Sequence, residues 1–201
     1  SPPAVLALWD ADGDGASGAG ERAAVATAPG LNHGLEEGGG RLYASSDTTV
    51  YAWPYPAGST SPIPDSSRRE VVTNINADGR GGAPRGHTTR SLALDLVNGW
   101  LYVSVGSYSN VDVDSHRSRI RRFALADLHD DSQAPLDFQA GYVFADGLRN
   151  EVGLAFDASG VLWGVENGAD SLVRASLGGD VHNDNPGEEV NAFREPGRHY
   201  G

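Results

Sequence analysis

Cysteine and methionine are both missing from the 201 residues, and Lys and Arg number only 15 against 27 Asp and Glu. Without cysteine this stretch has no disulfide framework, no thiolate metal site and no cysteine nucleophile. Methionine is absent even at position 1, and the chain opens on Ser-Pro-Pro without a charged and apolar leader, as expected of a mature chain or an excised piece. A formal net charge of -12 argues against nucleic acid as the partner, because holding a phosphate backbone takes a surplus of cations. The same deficit fits poorly with an anionic membrane surface, and no apolar run approaches the roughly 20 residues of a membrane span.

Glycine and proline are plentiful, at 27 and 11 residues, and they fall between short apolar runs rather than in one low-complexity block. Tight turns joining short strands produce that distribution. With 39% hydrophobic and 21% charged residues the composition is ordinary for a globular chain, and the expected fold is all-β. Acidic loops of Asp, Asn and Glu are compatible with calcium, a hard cation that takes oxygen ligands, although most surface carboxylates bind nothing.

Three segments repeat one pattern: a polar loop, an apolar strand, a Gly or Asn-Gly turn, then a second strand holding an aromatic. They run from His33 to Ser46, from His87 to Ser104 and from Arg149 to Gly164, with Leu42, Leu101 and Leu162 at the matching place. Further strand-like runs follow, such as Thr49 to Trp53 and Ser118 to Phe123, so each unit reads as a four-stranded propeller blade with long loops. Asn98-Gly99 and Ser159-Gly160 are pairs expected at the tips of tight hairpins, where positive φ is needed. Pro54 to Ser67 and Asn74 to Pro84 are polar and turn-rich, which makes them inter-strand loops and leaves no domain boundary. Since propellers close with roughly four to eight blades, the chain is expected to be one partial domain.

The densest polar chemistry lies between Asp146 and Gly201. His87, in Gly86-His-Thr-Thr-Arg90, precedes the first strand of its unit, where propeller loops line the central channel. A histidine there is either a base near neutral pH or a plain hydrogen-bonding loop residue. His33 and Arg149-Asn150 take the matching places in the other units, so His33, His87 and Arg149 are expected to converge. Arg149 offers a planar fork for a carboxylate or a developing oxyanion, or else forms an ion pair with Glu151 or Asp146.

Two further runs are rich in oxygen. In Glu166-Asn-Gly-Ala-Asp170 the glycine lets the backbone turn its carbonyls toward a cation, as many unremarkable turns also do. Asp180, Asn183, Asp184, Asn185, Glu188 and Glu189 place six oxygen-bearing side chains within ten residues, in no EF-hand spacing, with Asp180, Asp184 and Glu188 as candidate ligands. Asp12-Gly-Asp14 is expected to be a plain turn. Ser91 and Ser104 lie in strands without a nucleophile elbow, and no Gly-rich loop opens a helix, so serine hydrolases and nucleotide binders have no support.

Four stretches carry a family likeness in their order and spacing: Asn32-His-Gly-Leu35 with Leu42-Tyr-Ala-Ser-Ser46, then Gly86-His-Thr-Thr-Arg-Ser-Leu92, then Gly147-Leu-Arg-Asn-Glu-Val-Gly-Leu-Ala-Phe156, then Glu166 to Asp170 through Asp184-Asn-Pro-Gly-Glu-Glu189. With them the chain, from about His33 to Gly201, resembles the propeller domain of the secreted fungal pyrroloquinoline-quinone-dependent pyranose dehydrogenases. These are relatives of the bacterial soluble quinoprotein glucose dehydrogenases and of sorbosone dehydrogenases.

The resemblance implies a six-bladed β-propeller, of which this chain covers about three blades, in an extracellular protein. It implies pyrroloquinoline quinone and calcium as cofactors and pyranoses or 2-keto sugars as substrates, with electrons passed to a haem b cytochrome domain or an external acceptor. By position, His87 matches the catalytic base that takes the proton of the sugar's C1 hydroxyl as hydride passes to the quinone. Arg149 matches the residue that contacts the cofactor and stabilises the developing negative charge. Asn150 and His33 are the further cofactor contacts, and the backbone carbonyls of Gly168 and Ala169 match the calcium ligands.

Two departures accompany the likeness. In the bacterial relatives an aspartate directly precedes the catalytic histidine, whereas this chain has Gly86, so the group that orients His87 must come from elsewhere. The basic and aromatic residues of later blades, which would grip the cofactor, lie outside this sequence. A propeller that only binds, and a calcium-dependent sugar lactonase with side-chain carboxylates in its channel, remain open alternatives.

Overall fold

Short strands separated by turns make up nearly all the regular structure of the computed structural model, which describes residues 3–75, 86–113, 116–182 and 188–201. A hairpin of β1 (Ala4–Leu8) and β2 (Arg22–Thr27) comes first. An antiparallel meander follows, made of β3 (Leu31–Gly38), β4 (Arg41–Ser46), β5 (Val50–Pro54) and β6 (Arg69–Thr73). The next sheet begins with β7 (Leu92–Asp95), β8 (Trp100–Val105) and β9 (Arg119–Ala124). After α1 (Leu125–Leu128), a single helical turn, β10 (Leu136–Asp137) adds in parallel to β6, and β11 (Tyr142–Asp146) pairs with β9. The last sheet is β12 (Glu151–Phe156) and β13 (Leu162–Glu166), a small hairpin of β14 (Val173–Arg174) and β15 (Gly179–Asp180), then β16 (Glu189–Phe193) beside β13. Finally β17 (Arg198–His199) runs parallel to β11. The first repeat unit thus has the expected four consecutive strands, the second gains its fourth, β11, only after β10 has joined the first sheet, and the third has three.

The sheets stack face to face, and the period of two along a strand explains how. In β4, Leu42 and Ala44 point into a core shared with β1–β2, while Tyr43 between them points into the core shared with the β7–β11 sheet. In β8, Leu101 and Val103 belong to that second core, and Tyr102 belongs to a third, against the β12–β16 sheet, with Phe144, Leu162 and Phe193. A strand sandwiched this way needs apolar residues on both faces, which is why β4 and β8 are buried almost end to end. β13 instead alternates buried with more exposed residues, leaving Val165 and Val190 uncovered on its outer face. Leu42, Leu101 and Leu162 are all buried in the second strand of their sheets, so the repeat read from sequence is a repeat of packing.

Both hairpin tips differ from expectation. Residues 96–99 and 157–161 are longer connections, and positive φ occurs at Gly99 (75°) and Gly160 (81°) but at neither Asn98 nor Ser159. The Asp95 carboxylate accepts the amide of Asn98, and the Asp157 carboxylate accepts those of Ser159 and Val161, so aspartates fold these turns. The polar stretch after β5 is the expected loop, with a 3-10 turn at Asp65–Ser67, whereas most of the predicted loop from Asn74 to Pro84 lies outside the described residues. No helix among the described residues is long and apolar enough to cross a membrane.

The innermost strand β7 packs against both β3 and β12, so the residues that lead into these strands meet at one end of the stack. Leu101 has 0% of its surface exposed, and Leu101→Ala should cost the intact protein about 2–5 kcal/mol. Val97, 93% exposed on a loop, should tolerate alanine within about 0.5 kcal/mol. Chemical unfolding of the two variants, with equal losses, would contradict this division of the core.

Candidate functional site

Bulges position the ends of the inner strands. The register of β3 against β4 shifts between Leu31 and Leu35, and that of β12 against β13 shifts between Glu151 and Gly153, so Asn32, His33 and Val152 lie outside the regular ladder. The freed groups hold the three units together. His33 donates through Nε2 to the Val152 carbonyl at 2.8 Å, and the Asn32 side chain donates to the Thr88 carbonyl at 3.1 Å. Ser91 and Ser104 are structural as well, both donating their hydroxyls to the Glu151 carbonyl, at 2.9 and 3.2 Å.

His87 and Arg149 meet at the C-terminal end of β8. The Ser107 carbonyl accepts the His87 amide at 3.3 Å and the His87 Nδ1–H at 2.7 Å, and the Ser107 amide donates to the Arg149 carbonyl at 2.6 Å. Ser107 is therefore the orienting group left unidentified by Gly86. Because a carbonyl can only accept, Nδ1 carries a proton, and in the neutral ring that burial favours Nε2 keeps the lone pair a base requires. Burial holds His87 below the ordinary imidazole range; the Ser107 carbonyl opposes this, and the Arg149 charge adds to it.

Gly106 explains how closely these groups sit. A β-carbon there would lie 2.7 Å from Asn150 Oδ1, 2.7 Å from His87 Cβ and 3.1 Å from the Arg149 carbonyl. Behind His87, the fully buried Arg90 donates to the carbonyls of His87 and Thr89, each at 2.7 Å, and to that of Asp47 at 2.9 Å.

Arg149 forms neither of the ion pairs considered from sequence. Its guanidinium donates to Asn110 Oδ1 at 2.9 and 3.2 Å, to the Asn167 carbonyl at 3.1 Å and to Asp170 Oδ2 at 2.8 Å. Asn150 beside it is buried, and its Oδ1 has no hydrogen-bond partner. Glu166 Oε1 accepts the successive amides of Arg149 and Asn150, the latter at 3.1 Å. Burial raises the Glu166 carboxyl above its ordinary range, opposed by those amides, and burial pushes the neighbouring Glu151 up to about 7.

Arg149, Asn110, Glu166, Gly168 and Ala169 line one groove of about 380 Å³, within the size class of small-molecule sites. The arginine fork and the two residues offered as carbonyl donors suit an anionic organic cofactor with a hard cation. His33 lines a different groove, with Ala4, Leu6 and Leu31, so the expected three-way convergence holds for His87 and Arg149 while His33 serves as a tether. Of the acidic run, Glu188 reaches the groove by accepting the Gly168 amide at 3.0 Å. Asp180 binds its own neighbour, accepting the His182 amide at 3.1 Å and contacting His182 Nδ1 at 3.0 Å, and Asp184 lies outside the described residues.

Residues 4–200 match the family model described as TrAA12-like. The chain belongs to this family. Over 171 residues it is 40% identical to a pyrroloquinoline quinone-dependent sugar dehydrogenase of Hypocrea jecorina, an alignment that covers 80% of this chain and 37% of that protein. A calcium structure of the Trichoderma reesei carbohydrate-active enzyme family AA12 aligns with a TM-score of 0.77 and 35% identity, covering 96% of this chain and 47% of that one. The holo form of the quinone domain of a Coprinopsis cinerea pyranose dehydrogenase aligns with a TM-score of 0.74 and 28% identity, covering 93% and 45%. This AA12-like chain therefore spans under half the length of these relatives.

Sequence reasoning missed Ser107, Asn110 and the amide-binding role of Glu166, which only the fold brings to His87 and Arg149. It also stopped short at Asp12-Gly-Asp14. Counted from Asp10, the residues Asp10, Asp12, Asp14, Gly15 and Glu21 complete the calcium-loop spacing D-x-D-x-D-G-x5-E, and oxygens of Asp10, Asp12 and Glu21 lie within 4.8 Å of one another. This stretch joins β1 to β2, and its carboxylates accept amides of the same loop.

The wedge at Gly106 is directly testable. Gly106→Ala should destabilise the intact protein by about 1–3 kcal/mol through overpacking. Chemical unfolding measures it, and a variant as stable as the parent would contradict the close approach of His87 and Asn150.

Proposed function

We propose that the intact protein is a secreted quinoprotein sugar dehydrogenase that oxidises pyranoses or 2-keto sugars at C1. In this reading the chain contributes about three blades of a single six-bladed propeller domain. The apolar outer face of β13 and β16, with Trp163, Val165 and Val190, supports the larger fold, since a further sheet would cover it. The observation that carries the functional reading is His87, with Nδ1 committed to Ser107, linked through that residue to a mostly buried Arg149 that lines a groove of cofactor size.

His87 Nε2 accepts the proton of the sugar's C1 hydroxyl as the C1 hydrogen leaves with its electron pair. Pyrroloquinoline quinone, when bound, supplies the two-electron acceptor. Arg149 gives the cofactor a fixed positive charge and a planar fork of donors, already held in place by Asn110 and Asp170. Asn150 would seat the same group, and the carbonyls of Gly168 and Ala169 would hold calcium as a Lewis acid. Electrons then leave to a haem b cytochrome domain or an external acceptor. A sugar lactonase is less well supported, because Glu166, a buried carboxylate of the groove, is engaged with the amides of Arg149 and Asn150.

With quinone and calcium added to the intact protein, sugar-dependent dye reduction is expected, and its absence would refute the reading. His87→Ala should lower kcat by about 10²–10⁴-fold while quinone binding is retained. The pH profile follows from the sign of the shift. A base must be neutral, and its conjugate acid is stabilised less than usual here, so kcat/KM should keep its plateau down to a limb below the ordinary histidine value of about 6.5. A limb well above that value would point to a different base.

A further inference from the structure

Glu151 and Glu166 stand directly opposite each other across β12 and β13, with 2% and 8% of their surfaces exposed. Two carboxylates facing each other in a buried sheet weaken the strand pairing, and neither is used in the chemistry above. Their hydrogen bonds indicate what the arrangement achieves. Asn191, on the adjacent β16, donates through Nδ2 to Glu151 Oε1 at 2.9 Å and to Glu166 Oε2 at 3.1 Å. This holds the inner oxygen of Glu166 to the sheet. The other oxygen, Oε1, reaches out of the sheet to the amides of Arg149 and Asn150. The Asn150 carbonyl in turn accepts the Asn167 amide at 3.0 Å, so residues at the end of β13 hold this segment at successive peptides. Gly164 leaves room for the pair, since a β-carbon there would strike the Glu151 carboxylate.

We propose that Glu166 is the positioning residue of the cofactor pocket: it fixes the Arg149–Asn150 peptide and so aims the arginine fork into the groove, with the buried Asn150 side chain packed behind it against Gly106. The inference rests on the quinoprotein reading of that groove. A carboxylate that accepts two successive amides fixes the orientation of both peptide planes, and a peptide rotation there would swing the two side chains with it. Glu151 and Asn191 buttress Glu166, whereas Glu166 touches the pocket-forming segment itself.

The test uses the intact protein with calcium present and pyrroloquinoline quinone as the titrant, read by quenching of tryptophan fluorescence, alongside thermal unfolding of the quinone-free variants. Glu166→Ala should weaken quinone binding by about 10–100-fold, as loss of a supporting hydrogen-bond partner does at other sites. Glu166→Gln keeps an acceptor oxygen for the amides and should recover most of the lost affinity. Glu166→Asp keeps the charge but withdraws it by one methylene, and should bind more weakly than Glu166→Gln even if Glu166→Ala fails to fold. Parent-like affinity in Glu166→Ala, or a folded Glu166→Gln as impaired as Glu166→Asp, overturns the proposal. If the parent itself binds no quinone, the quinoprotein reading fails. The role of Glu166 is then decided by a crystal structure of Glu166→Ala or Glu166→Asp, in which an unmoved Arg149–Asn150 peptide would refute it.

Discussion

Residues 42–44 and 101–103 each serve two hydrophobic cores at once, and the placement of every other group follows from this. A strand whose alternate side chains enter different cores must lie between two sheets, so β4 and β8 force a face-to-face stack. The stack brings β3 and β12 alongside the innermost strand β7. Once those edges are fixed, the short segments preceding them have one place to go. His33 therefore reaches Val152 across 119 positions of sequence, and Asn32 reaches Thr88 across 56.

The polar groups at that end are held by the backbone more than by side-chain pairs. One residue, Ser107, takes both the amide and the ring of His87 on its carbonyl and gives its amide to Arg149. Glu166 does the same for Arg149 and Asn150 from the other side, and Arg90 holds the His87 carbonyl from behind. Each anchor is buried, where an unmade hydrogen bond is expensive, so the arrangement resists relaxation. Positions fixed in this way cost little reorganisation when charge changes in the groove.

The sequence conveyed the packing repeat well because packing has a local signature. Leu42, Leu101 and Leu162 follow strand periodicity, and each lies where that periodicity puts it. His87, Arg149 and Asn150 were legible through their matching offsets from those leucines. Their partners were not, since Ser107, Asn110 and Glu166 become neighbours of His87 and Arg149 only through sheet stacking, which leaves no trace in spacing. The misplaced expectations have the opposite origin. His33 shares the offset but lies on a bulge that turns it toward Val152, and Asp180 has the right chemistry but a nearer partner in His182.

The group that orients His87 is the Ser107 carbonyl and not a carboxylate, and this sets the character of the imidazole. A carboxylate beside an imidazole stabilises its charged form and raises its pKa. Here the orienting group is a neutral carbonyl; burial lowers the His87 pKa, the Ser107 hydrogen bond opposes it, and the charges of Arg149 and Arg90 are set against that of Asp170. The ring is thus held in the correct tautomer by Ser107 without the added basicity that a carboxylate would bring. Such a base is weaker, yet it stays unprotonated in a more acidic medium, and Brønsted behaviour favours a base whose pKa lies near the working pH. Holding the ring on a carbonyl rather than on a carboxylate therefore does more than fix geometry: it lets burial keep His87 neutral into a more acidic medium.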